Sequence, residues 1–81
     1  MDSKLQTFLT LCQTMNYRIA AEQLHLSQPA VTKQIQALEQ LLQTKLFRYD
    51  GHILHKTETC LLLERYAISQ KYQLEELQLA M

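Results

Sequence analysis

The 81-residue chain has one glycine, one proline and no tryptophan. Asparagine and aspartate are almost as scarce, with only Asn16, Asp2 and Asp50. Tight turns draw on these residue types, so the elements of this chain must be few and long. The scarcity excludes a collagen-like chain, a flexible linker and a turn-rich all-β domain, and it leaves helices. No apolar run approaches the roughly 20 residues that cross a bilayer, so no membrane partner is expected. Met1-Asp2-Ser3-Lys4 leads into an amphipathic pattern rather than the apolar stretch of a signal peptide. Cys12 and Cys60 stand far apart in sequence and suggest no disulfide framework. Nothing in the sequence pairs them as a redox switch, and a reducing cytoplasm is the expected location. Excess charge is lacking too: eight Lys and Arg against eight Asp and Glu give a net of +0 and a pI of about 6.8. A nucleic-acid reading must therefore rest on where particular residues sit, not on the total.

Hydrophobic residues make up 47% of the chain, enough to bury a core, and the length suits one domain. Leu5, Phe8, Leu9, Cys12 and Met15 fall on one face of a helix over 3–15, with Asp2 or Ser3 as its cap. Asn16 is placed to cap a short second helix from Tyr17 to Leu24. Ser27 or Gln28 then caps a third, with Pro29 in its first turn, where a missing N–H costs nothing. Val31, Ile35, Leu38 and Leu42 recur at helical spacing along it to about Gln43 and read as core. Two short β-leaning runs, 46–49 and 52–56, flank Asp50-Gly51 and predict a hairpin whose only glycine takes a positive φ. Thr57 caps a last helix, with Glu58 favourably placed in its first turn. Leu63, Ala67, Gln70, Leu74, Leu77 and Met81 form a heptad-like stripe along it. The chain ends inside this pattern, which predicts a further domain beyond it.

The second and third helices carry the functional signal. Ala20 and Ala21 allow a close helix crossing, Leu24 and Leu26 plug the turn, and Val31 and Ile35 face back. This is the logic of a helix-turn-helix, whose second helix enters the major groove of DNA. The turn position, glycine in the general motif, is His25, a residue that tolerates the left-handed region better than most.

The stretch from Arg18-Ile19-Ala20-Ala21 through Ser27-Gln28-Pro29-Ala30-Val31 to Leu38-Glu39, followed by Leu46-Phe47 and Thr57-Glu58, resembles the N-terminal domain of LysR-type transcriptional regulators. The resemblance covers essentially the whole chain. It implies a mainly α fold: a winged helix-turn-helix of three helices and a short two-stranded wing over 1–57, with a linker helix over 58–81 that pairs two subunits. It implies sequence-specific binding of a pseudo-palindromic operator on double-stranded DNA by a homodimer. In that family a small-molecule effector is sensed by a further domain, which is absent from these residues. The DNA-binding residues it implies are Arg18, Ser27, Gln28, Pro29, Thr32 and Lys33, with His52 and Leu54 in the wing beside Asp50 and Gly51. The chemistry agrees with several of these assignments. Gln28 suits adenine and Lys33 suits guanine O6/N7. Thr32 offers a hydroxyl to phosphate and a methyl to thymine. Arg18 matches a backbone-contacting position.

Three positions depart from the family's pattern. Ile19 replaces a frequent Arg or Lys, Tyr49 replaces an arginine, and Cys60 fills a position usually held by glycine. The first two remove phosphate partners. Residues 1–60 then hold six Lys and Arg against five acids, a net of +1. Weak non-specific affinity and a shallow salt dependence per monomer follow, since few counterions are released.

Two readings from other classes compete. One is a winged helix that keeps only protein interaction or dimerisation, favoured by the low charge and opposed by Gln28, Thr32 and Lys33. The other is a small enzyme or metal protein. His52-x-x-His55 with Cys60 is not a zinc spacing, and on a strictly alternating strand the two histidines point to opposite faces. No catalytic constellation has motif support, so neither an enzyme nor a cofactor is expected.

Overall fold

The computed structural model describes residues 2–81. Its elements are α1 (Ser3–Thr14), α2 (Tyr17–Leu24), α3 (Gln28–Leu42), β1 (Phe47–Asp50), β2 (Ile53–Lys56) and α4 (Glu58–Ala80). Every helix starts on a polar cap. Asp2, Asn16, Ser27 and Thr57 each accept a hydrogen bond from a backbone N–H of the first turn. These bonds satisfy donors that a helix start otherwise leaves orphaned.

Helix ends are handled without glycine. Met15, His25 and Gln43 take φ of 49°, 56° and 55°. Left-handed backbone costs a non-glycine residue roughly 1–2 kcal/mol, so each end needs compensation. After α2, the N–H of His25 donates to the Glu22 carbonyl and that of Leu26 to the Ala21 carbonyl. After α3, the Gln43 and Thr44 N–H groups repeat this pattern on Gln40 and Glu39. Both ends are Schellman motifs, which recover the last carbonyls of the helix. Met15 and Gln43, expected inside helices, are instead the residues that end them.

Phe8, Leu11, Val31, Ile35, Leu46 and Cys60 are the largest fully buried side chains. Phe8 meets Phe47 with ring centroids 5.8 Å apart at 53°, which ties α1 to the wing. Ala20 and Ala21 are buried where α2 crosses its neighbours, as the sequence predicts. Two expected core residues are not core. Leu42 is 39% exposed because the chain turns away at Gln43, and Leu26 is 36% exposed because it follows the turn rather than filling it. Leu11 lies outside the predicted stripe yet is completely buried, because α1 is covered on a broad arc by α2, α3 and α4.

β1 and β2 pair antiparallel, with Arg48 opposite His55 and Asp50 opposite Ile53. The turn residues are therefore Gly51 and His52, not Asp50-Gly51. Gly51 has φ 62° and His52 is not among the positive-φ residues. A positive φ at the first turn residue alone is the type II′ geometry, where glycine is favoured. Thr57 closes the wing: its hydroxyl donates to the Lys45 carbonyl at 2.7 Å, and its N–H donates to the Leu46 carbonyl at 3.0 Å. α4 then runs for 23 residues, of which only Cys60 and Ala67 are buried. The result is a winged helix-turn-helix with a helix projecting from it, 46 Å in its longest dimension.

Candidate nucleic-acid interface

α3 is held from behind and open in front. Val31, Ile35 and Leu38 anchor one side in the core. At about 100° per residue, Pro29 and Lys33 fall on the opposite arc and Thr32 at its edge, whereas Gln28, seven positions before Ile35, is on the core-facing side and is open because it begins the helix. Gln28, Pro29 and Lys33 are exposed and Thr32 is half-buried at the arc's edge. Ser27 points its Oγ at the Ala30 N–H, 3.2 Å away, so its first role is to cap the helix. Gln36, one turn beyond Thr32, is exposed on the same arc and extends it. Sequence reasoning missed it, although the i, i+4 spacing from Thr32 carries the signal.

The sequence-predicted residues do not form one cluster. Arg18 stands at the start of α2, where its guanidinium donates to Glu22 Oε1 at 2.9 Å on an exposed surface. The bridge is solvent-screened and weak, but it places a carboxylate beside the cation expected to meet phosphate. His52 is exposed on the wing turn. Leu54, the other expected wing residue, is half-buried and packs against the core. Its strand alternates from exposed Ile53 to half-buried Leu54, since Phe47 and Leu54 share the inner face. The outward pair on the wing is Arg48 and His55, both exposed and directly opposite each other. Counting alternation from buried Phe47 would have found them.

Glu39 is held inside the fold by a backbone contact. It is the last residue of the motif on α3, and its Oε2 accepts the Leu46 N–H at 2.8 Å. Lys45 adds an ion pair at 3.9 Å. The carboxylate fastens the end of the recognition helix to the entry of the wing. Nearby Tyr17 is half-buried, and burial, with Glu39 and Tyr49 adding repulsion, pushes its hydroxyl up to about 12. Cys12 and Cys60, remote in sequence, are in contact, with Sγ atoms 3.8 Å apart. Among the described residues, no three His, Cys, Asp or Glu side chains converge as a metal site requires. No described helix is long and apolar enough to cross a membrane.

Residues 3–60 match the model of the bacterial regulatory helix-turn-helix protein, lysR family. The chain is 45% identical over 56 residues to an HTH-type transcriptional regulator encoded in the ibpB-leuC intergenic region of Azotobacter vinelandii. That match covers 69% of this chain and 39% of the relative. The chain is also similar to the crystal structure of a LysR-family transcriptional regulator from Eggerthella lenta. The TM-score is 0.79 and the identity 45%, over 85% of this chain and 97% of that one. The DNA-binding domain of BenM, solved with catB site 1 DNA, shares the fold with a TM-score of 0.86 at 24% identity, over 95% and 84% of the two chains. With its buried-back, open-front α3, its hairpin wing and this match over residues 3–60, the chain belongs to the lysR family of bacterial regulatory helix-turn-helix proteins.

Proposed function

We propose that this chain is the DNA-reading part of a transcription regulator, binding a pseudo-palindromic site on double-stranded DNA as a homodimer. The observation that carries the reading is the unobstructed arc at the start of α3. Lys33 and, at its edge, Thr32 project from a helix whose other face is locked in the core, and Gln28 is exposed at its leading end. The first turns of such a helix meet the floor of the major groove. Gln28 presents an amide to adenine and Lys33 a cation to guanine. The capped N-terminus adds a positive dipole end toward phosphate. Arg18 and the outward Arg48–His55 pair flank this arc as backbone contacts, and His52 lies at the wing tip.

Residues 1–57 form the reading domain and 58–81 the pairing helix. Beyond Ala67, α4 buries nothing, yet it carries Ile68, Tyr72, Leu74 and Leu77, each at least 37% exposed. At 1.5 Å per residue a helix over 57–81 reaches about 36 Å, longer than the body it leaves. A second copy, related by a two-fold axis, covers this length and presents two α3 helices to two half-sites. A small-molecule effector acts through residues outside these 81. The site of action on this reading is the cytoplasm.

A fluorescence-anisotropy titration with the protein's own upstream DNA tests the reading. Lys33→Ala should cost about 1–3 kcal/mol and relax preference at one base position. Arg18→Ala should weaken all sequences alike. Failure to bind either the upstream DNA or a random duplex would instead indicate a module that only assembles with protein.

A further inference from the structure

The DNA-binding reading leaves Cys12 and Cys60 without a role. Cys12 lies on α1 and is 4% exposed, while Cys60 lies in the first turn of α4 and is 0% exposed. Both thiols are free, and one donates to the other across 3.8 Å. A disulfide needs about 2.05 Å, so less than about 2 Å of local closure between α1 and α4 would join them. Beside the pair, Lys56 at the end of β2 bridges Glu64, one turn beyond Cys60 on α4, at 3.0 Å, holding the start of α4 against the wing. The contact between the thiols keeps Cys12 protonated far above the ordinary thiol range, burial adding to it. The same contact lowers Cys60, with burial and the Glu64 carboxylate opposing it and the Lys56 cation assisting. Of the two thiols, Cys60 is therefore the one that gives up its proton more readily.

We propose that Cys12 and Cys60 form an intrachain redox site, a dithiol that a low-molecular-weight disulfide of the glutathione class converts into a bond tying α1 to the first turn of α4. The Cys60 thiolate attacks one sulfur of the small disulfide, forming a mixed disulfide and releasing one small thiolate, which takes up the first proton. Cys12 gives its proton to solvent base and attacks the Cys60 sulfur, and the second small thiolate leaves and is protonated. Two protein thiols lose two electrons and two protons, and the small disulfide gains both to become two thiols. With both sulfurs buried, the oxidant enters only when the first turn of α4 opens, so the rate follows local opening. The folded state supplies the proximity, so the bond and the fold stabilise each other.

The test equilibrates the protein in glutathione buffers of graded ratio, quenches with acid, and maps the peptides without reduction. The measurement is repeated in guanidinium. A single Cys12–Cys60 cross-link is expected, with an equilibrium constant at least about 100-fold larger in the folded than in the unfolded chain. The Tm of the oxidised protein should rise by roughly 5 °C or more. Cys12→Ala should stop at a glutathione adduct on Cys60, and Cys60→Ala should form no cross-link. Equal constants in the folded and unfolded states would overturn the proposal, as would cross-links between chains or a wild-type protein that stops at the glutathione adduct. The wild-type comparison decides the matter even where a variant folds poorly.

Discussion

Replacing Glu39 by alanine should unfold the junction between recognition helix and wing more than any surface charge change. The Leu46 N–H that Glu39 accepts belongs to a residue with 0% exposure, so water cannot easily replace the lost partner. Leaving such a donor unpaired costs about 1–3 kcal/mol. The Lys45 ion pair adds little: the lysine side chain is 62% exposed and the separation is 3.9 Å, and exposed pairs contribute about 0–1 kcal/mol. The expected loss for Glu39→Ala is therefore about 2–3 kcal/mol, a fall in Tm of roughly 10–20 °C for a domain of this size. Glu39→Gln keeps an oxygen acceptor in place and should lose about 1 kcal/mol, the difference between a charge-assisted and a neutral bond. Lys45→Ala should lose under about 0.5 kcal/mol. Urea and thermal unfolding followed by circular dichroism measure all three. If Lys45→Ala proved as damaging as Glu39→Ala, or the glutamine variant fell as far as the alanine one, the ion pair or the bare charge would matter and the backbone contact would not.

Two further predictions concern charge. Glu22→Gln removes the carboxylate that faces Arg18 at 2.9 Å; non-specific DNA affinity should rise and the plot of log K against log salt steepen by about 0.9, one phosphate's worth of counterion release. An unchanged slope would mean that Arg18 already contacts phosphate with Glu22 in place, or never does. Tyr17 has a folded-state pKa raised to about 12 by burial, above its ordinary value of 10. The stability that goes with its protonated hydroxyl is complete below pH 10 and is lost as pH rises towards 12. Wild type should therefore lose more stability than Tyr17→Phe across that window in parallel urea titrations, and parallel curves would place Tyr17 in solvent.

Local chemistry made much of this fold readable. Each capping residue sits one position before a periodic run, and His25 was legible as a left-handed turn because its neighbours follow a helix-turn-helix pattern. Contacts between distant segments were not legible. Glu39 reaches Leu46 across a loop, and no spacing rule says which acid will do so. The Cys12–Cys60 contact depends on how α4 lies on α1. The side on which Leu54 lies was not legible either, because it depends on the register, which puts it on the inner face with Phe47.

α4 shows how one periodic pattern can serve two partners. Its stripe begins with Leu63, half-buried, and Ala67, fully buried, both packed on the core of the same chain. The stripe continues without a break through exposed Gln70 to Leu74 and Leu77, which are 37% and 58% exposed. The body of the domain ends before the helix does, so the same face changes from intramolecular packing to an open surface near Gln70. A polar residue at that changeover costs little burial on either side, and it marks the point where the register of a paired helix would be set. On the proposed pairing, dimer geometry and domain stability share one stripe. A substitution at Ala67 should disturb the fold first, whereas one at Leu77 should leave the fold intact and act on association alone.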